Sequence, residues 1–162
     1  MSKHHRNRNW APAPQPLPED AHVIDNHTHV ASVVPFSQAM SHEAMEKGQG
    51  EVPVYSVDEL LEQAQKVGVE SVIDCGCELP NLMTAIDMAR EHPGTVHAAI
   101  AIHPNEAVLH GHRGAPGPDG LPIKYKPWHD IPFDEAMAEV HRLATTYPNQ
   151  VVAIGETGMD LF

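Results

Sequence analysis

The sequence predicts an α/β fold: parallel strands joined by right-handed helical crossovers, arranged as an open sheet or a barrel. Two observations carry that expectation. Short apolar runs of strand length alternate with stretches whose apolar residues recur at helical spacing, and the residues able to do chemistry fall just after the apolar runs. The carboxyl ends of parallel strands are where such folds build their sites.

The first twenty or so residues stand outside this pattern. A basic start (Lys3, Arg6, Arg8) leads into the proline-spaced run APAPQPLPED, which can form neither a continuous ladder nor a helix. We expect a disordered tail over 1–20 and one domain over 21–162. Val23 and Ile24 open the first strand. Between Val30 and Val54 the periodicity is poor and Pro35, Gly48, Gly50 and Pro53 interrupt it, so a loop insertion is expected near 31–55, with room for a short helix around Ser41 to Lys47.

Regular structure resumes at SVDELLEQAQKVG. Ser56 and Glu59 form a capping-box pattern, Val57, Leu60, Leu61, Ala64 and Val67 make one stripe, and Gly68 stops the helix. ESVIDCG supplies a second strand. A second helix runs through Leu82, Ala85, Ile86 and Ala89 to the His92-Pro93-Gly94 stop, and VHAAIAI is a third strand. Residues 106–132 are rich in Gly, Pro and His, hence a second loop insertion. Phe133, Ala136, Met137, Val140 and Leu143 then mark a helix closed by Tyr147-Pro148, before the strand VVAIGE.

Composition bounds the partners. With 22 acidic against 10 basic residues, a formal charge of -12 disfavours a broad electrostatic grip on nucleic acid or on an anionic membrane. A phosphate-bearing substrate would need local help, such as bound cations. Cys75 and Cys77 are too close for an easy structural disulfide, the start lacks the apolar core of a signal peptide, and no apolar run approaches the roughly 18 residues of a membrane span. A cytoplasmic setting, without membrane association, is the expectation.

The stretch VIDNHTHV concentrates the chemistry. In an extended segment Asp25, His27 and His29 share one face, so two imidazoles aim at one point and Asp25 is a candidate outer acceptor. Two solvated loop histidines fit the spacing as well, but their place at a strand end favours a metal site. Asp74 and Cys75 end the second strand, His103 the third and Glu156 the fourth. Cys75 and Cys77 suggest a soft-metal pair, yet without a second pair they read as buried or loop cysteines. His110, His112 and His129 read as solvated loop residues rather than chelators.

Three segments together resemble a known family. DNHTH at the first strand, AIHP after the third and GETGMDLF after the fourth are similar to the motifs of TatD-type metal-dependent hydrolases, a branch of the amidohydrolase superfamily. The resemblance spans Val23 to Phe162, broken by the two loops. It implies the N-terminal half, about four βα units, of a TIM-type (β/α)8 barrel. It implies two divalent metal ions (Mg, Mn or Zn) and hydrolysis of phosphodiester bonds, with DNA or another phosphodiester as substrate. By motif match His27 and His29 would hold the first metal, Glu156 would bridge both, His103 would lie near the substrate phosphate, and Asp160 would play a structural hydrogen-bonding part.

Family ligands from the fifth and sixth strands and an aspartate general base from the eighth have no counterpart here, and a full barrel takes about 200 residues or more. We therefore expect a truncated chain, inactive by itself, with open sheet edges. Two other readings stay open: an amidohydrolase acting on amides or lactones, against which the GETGMD segment argues, and a non-catalytic fragment or interaction module.

Overall fold

The computed structural model describes residues 17–18, 21–49, 52–114 and 124–158; the expectations for most of the tail and for Asp160 fall outside them. The elements in chain order are β1 (Val23–Thr28), α1 (Val30–Glu46), α2 (Val57–Lys66), β2 (Val69–Gly76), α3 (Leu79–Glu91), β3 (Val96–Ile100), α4 (Pro104–Ala107), a 3-10 turn (Pro127–Asp130), α5 (Phe133–Thr146) and β4 (Val151–Ile154). The four strands form one parallel sheet in the order β1-β2-β3-β4, so each crossover joins neighbours, as in half of a TIM-type barrel.

Alternation along β2 and β3 sets the two faces. Val72, Asp74 and Gly76 on β2 and Val96, Ala98 and Ile100 on β3 are buried, and their apolar members join Leu82, Ile86, Val140 and Leu143 from α3 and α5 in the core. Leu82, Ile86 and Ile100 are fully buried, each contributing about 1.5–3 kcal/mol by its removal from water. The register pairs Ile73 with His97 and Cys75 with Ala99 on the other face, toward which the site opens. Gly76 lets α3 come close: a Cβ there would lie 2.7 Å from the Asn81 carbonyl oxygen.

The capping box at Ser56 and Glu59 forms as expected, and Gly68 ends α2 with φ +97°. Where a loop with a short helix was expected near 31–55, the chain instead makes the 17-residue helix α1, with Pro35 inside it. Its buried positions are Val30, Ser37, Ser41 and Ala44, while Phe36, Met40 and Met45 are exposed. The helical spacing is thus carried by serines and an alanine, with the Ser37 hydroxyl donating to the Val34 carbonyl at 2.8 Å, and no apolar stripe announces it.

Although an apolar pair opens β1, the strand is largely exposed: Ile24 is 59% exposed and Asp25, Asn26 and His27 are all exposed. It lies at the sheet edge with one neighbour. β4, at the other edge, exposes Val152 and Ile154. Among the described residues no helix is long and apolar enough to cross a membrane.

The described parts of the Gly/Pro/His-rich segment, 106–114 and 124–132, also depart from the solvated loop expected there, and residues 115–123 lie outside the described residues. His112 is exposed, but His110 and His129 are buried, and among the described residues neither joins a group of metal-ligating side chains. His129 bridges two partners, accepting the Lys126 backbone N–H at Nδ1 and facing the Glu106 carboxylate with Nε2. The rings of His110, Tyr125 and Trp128 stand edge-on around it at 5.1–5.8 Å. Residues 104–114 and 124–131 pack a small core of their own around a satisfied histidine.

Candidate metal centre

His27 and His29 come together, but not through strict strand alternation. The β1–β2 register slips between Asp25 and Thr28, which breaks strict alternation, and the strand ends before His29, the N-cap of α1. The two rings still meet edge to face, 5.4 Å apart. Asp25 does not support a ring, because its carboxylate accepts the His27 backbone N–H at 3.1 Å.

His29 is oriented from β2. Its Nδ1 lies 3.2 Å from the Cys75 carbonyl oxygen and donates to it, which leaves the Nε2 lone pair free for a cation. The helix that follows has no side-chain cap of its own at His29; buried Asp74 accepts the N–H of Ala31 at 3.4 Å instead. Burial raises the Asp74 pKa, and the Ala31 and Val30 amides and the His29 ring only partly oppose it. Asp74 therefore acts on the site by fixing where α1 begins.

Glu156 arrives from β4, whose end is tied to β3 by the Gly155 N–H and the Ile100 carbonyl. Its Oε1 lies 2.7 Å from Nε2 of His27, and its Oε2 lies 3.9 Å from Nε2 of His29 and 3.8 Å from Nε2 of His103. One ligand atom from each of His27, His29 and Glu156 falls within 4.8 Å of the others, a spacing that can hold a cation. Burial works to raise the Glu156 carboxyl, but the Cys77 hydrogen bond and the His27, His103 and His29 rings outweigh it and hold the group below its usual range.

His103 meets the same carboxylate in the opposite tautomer. Its Nδ1 accepts the Asn105 N–H at 3.1 Å, so in the neutral ring the proton sits on Nε2, the atom that faces the site. That suits hydrogen-bond donation to an anion rather than metal ligation. The His103 backbone is held by its N–H bond to the Cys77 carbonyl.

Cys77 lies just past β2 and is partly buried, in keeping with a buried or loop cysteine. It has its thiol 2.9 Å from Oε2 of Glu156, donating to it. Burial and the carboxylate push its pKa up to about 12. The signal that could have found it is the one that found the others, namely a ligand-type residue at the end of a parallel strand. Beside these groups, a cavity of about 430 Å³ is lined by His29, Asp74, Cys75, Cys77, Glu78 and Asn81, among others.

A family model described as TatD related DNase matches residues 24–162. The chain belongs to the TatD family. No curated protein matches it. TatD proteins are metal-dependent hydrolases of TIM-barrel fold, and both properties agree with the parallel half-barrel and with the convergence of His27, His29 and Glu156 at its carboxyl end. The donor set fits a TatD metal on its own chemistry as well: imidazole nitrogen and carboxylate oxygen suit a borderline divalent ion, and His29 already presents a lone pair.

Proposed function

We propose that the protein is a metal-dependent phosphodiesterase of TatD type whose substrate is DNA. The observation that carries this reading is the meeting of His27, His29 and Glu156 across the mouth of the sheet, next to a histidine in the donor tautomer. His27 and His29 would hold the first of two divalent ions (Mg, Mn or Zn), and Glu156 would be shared with the second. Such ions supply Lewis acidity and a water nucleophile active at neutral pH. His103 donates its Nε2 proton to a non-bridging phosphate oxygen, orienting the scissile bond and offsetting charge that an acidic chain would otherwise repel. The domain comprises residues 21–162, preceded by a basic tail over 1–20, and it works in a reducing, cytoplasmic setting.

The donors among the described residues serve one ion well and a second only through Glu156. The 162-residue polypeptide is therefore expected to bind divalent metal but to release no nucleotides from end-labelled DNA above a His27→Ala control. Isothermal titration with zinc or manganese, followed by a nuclease assay, tests both halves. Metal binding lost in Glu156→Ala supports the site. No binding by the unaltered chain overturns it, and robust metal-dependent cleavage abolished by Glu156→Ala overturns the expected inactivity while upholding the function.

A further inference from the structure

We propose that Cys77 supplies a sulfur ligand to the cation held by His27, His29 and Glu156, making this a thiophilic centre that prefers zinc to magnesium. The inference rests on the metal-site reading above and adds to it a donor and a metal preference.

Geometry carries it. Around Oε2 of Glu156 the Cys77 sulfur stands at 2.9 Å and His29 Nε2 at 3.9 Å. Zinc bonds of about 2.0–2.2 Å to nitrogen or oxygen and about 2.3 Å to sulfur, set tetrahedrally, separate neighbouring donors by roughly 3.3–3.6 Å. The two separations from Oε2 bracket that range, while the Cys77 sulfur lies outside the 4.8 Å grouping of His27, His29 and Glu156 and has to swing toward it to complete the shell. The sulfur is also anchored, because the Cys77 carbonyl accepts the His103 N–H at 2.9 Å and fixes the end of β2. Cys75 is placed differently: its carbonyl orients His29, and its own thiol points back toward the Ile73 carbonyl at 4.0 Å.

Chemistry agrees with the placement. The Cys77 S–H donates to the Glu156 carboxylate. On binding, the thiol loses that proton to solvent and the sulfur lone pair goes to the cation, while Glu156 exchanges a hydrogen bond for a metal bond. Thiolate and carboxylate together neutralise a dication. Two imidazoles, one carboxylate and one thiolate are the four mixed donors zinc takes, whereas magnesium demands oxygen and keeps its waters. With sulfur bound, the four-coordinate shell is filled by protein, so hydrolysis at such an ion requires expansion to five ligands.

Cobalt(II) titration of the 162-residue protein tests the assignment without reference to activity. Expected are visible d–d bands plus a near-ultraviolet thiolate-to-cobalt charge-transfer band. The band should disappear in Cys77→Ser, persist in Cys75→Ser, and be accompanied in Cys77→Ser by zinc affinity at least about 10-fold weaker. X-ray absorption of the zinc-loaded unaltered chain, with one sulfur scatterer at about 2.3 Å, gives the same answer should Cys77→Ser fold poorly. Cobalt binding without a charge-transfer band, or a band lost only in Cys75→Ser, overturns the role of Cys77 and leaves the metal site standing. No cobalt spectrum at all overturns the metal site itself, and the sulfur ligand with it.

Discussion

His27 on β1 and Glu156 after β4 touch at 2.7 Å, although their strands are the two outer members of the sheet. Three inter-strand spacings of about 4.8 Å would put flat outer strands some 14 Å apart. The sheet must therefore curl at its carboxyl end, and the side chains that bridge its mouth do so over the concave face. Barrel curvature is already present in four strands, and the site is its product.

Removing the bridge should abolish metal binding with little change in fold. Glu156→Gln keeps the size of the side chain but removes the anionic donor facing three imidazoles. We expect zinc or manganese affinity to fall beyond the roughly 10–100-fold that the loss of even an outer partner costs. Titration calorimetry should show this while the circular dichroism spectrum stays unchanged.

His103 should separate binding of metal from binding of substrate. Its Nε2 proton is set by the Asn105 N–H on the other ring nitrogen. His103→Gln should leave metal affinity within about 2-fold yet weaken metal-dependent binding of single-stranded DNA by about 10-fold or more, the value of one hydrogen bond to a charged group. Fluorescence anisotropy of a labelled oligonucleotide reads the second effect, and calorimetry the first.

Asp74 gives a prediction with a definite sign in pH. Its folded pKa is raised, chiefly by burial. Its contribution to stability is therefore fully present below the ordinary carboxylate value of about 3.9 and is lost as pH rises through the folded pKa. Asp74→Asn keeps an oxygen to accept the α1 amides but carries no charge. It should match the unaltered protein near pH 3.5 and exceed it in Tm at neutral pH. Asp74→Ala leaves those amides without their acceptor and should lose about 1 kcal/mol, as lost helix caps do. Thermal melts across this pH range check all three.

Two packing substitutions test the fold around the site. Gly76→Ala forces a Cβ to 2.7 Å from the Asn81 carbonyl and should cost about 1–3 kcal/mol by pushing α3 off β2. His129→Ala removes a buried ring and leaves the Glu106 carboxylate without it, for a loss of about 3–5 kcal/mol. Urea denaturation of each variant measures the difference. A negligible effect of His129→Ala would mean that residues 104–114 and 124–131 do not form the small core described.

The sequence was informative where burial alternates with a clear period. Val57, Leu60 and Leu61 announced α2, and Val140 and Leu143 announced α5, because one apolar face meets one core. It was silent at α1, where Ser37 and Ser41 occupy the buried positions and Phe36 faces water. His27, His29, His103 and Glu156 were legible because each ends a strand. Cys77 ends one too, but two thiols without a second pair gave no reason to look across the sheet toward Glu156. His110 and His129 were misread because Gly and Pro around them signal loop without revealing what the loop packs.

The most direct test is anomalous diffraction from crystals of the chain grown with zinc or manganese. The expected result is a peak bonded to Nε2 of His27, Nε2 of His29 and the Glu156 carboxylate. A map with no peak between those three side chains, or with its metal among His110, His112 and His129 instead, would contradict the account.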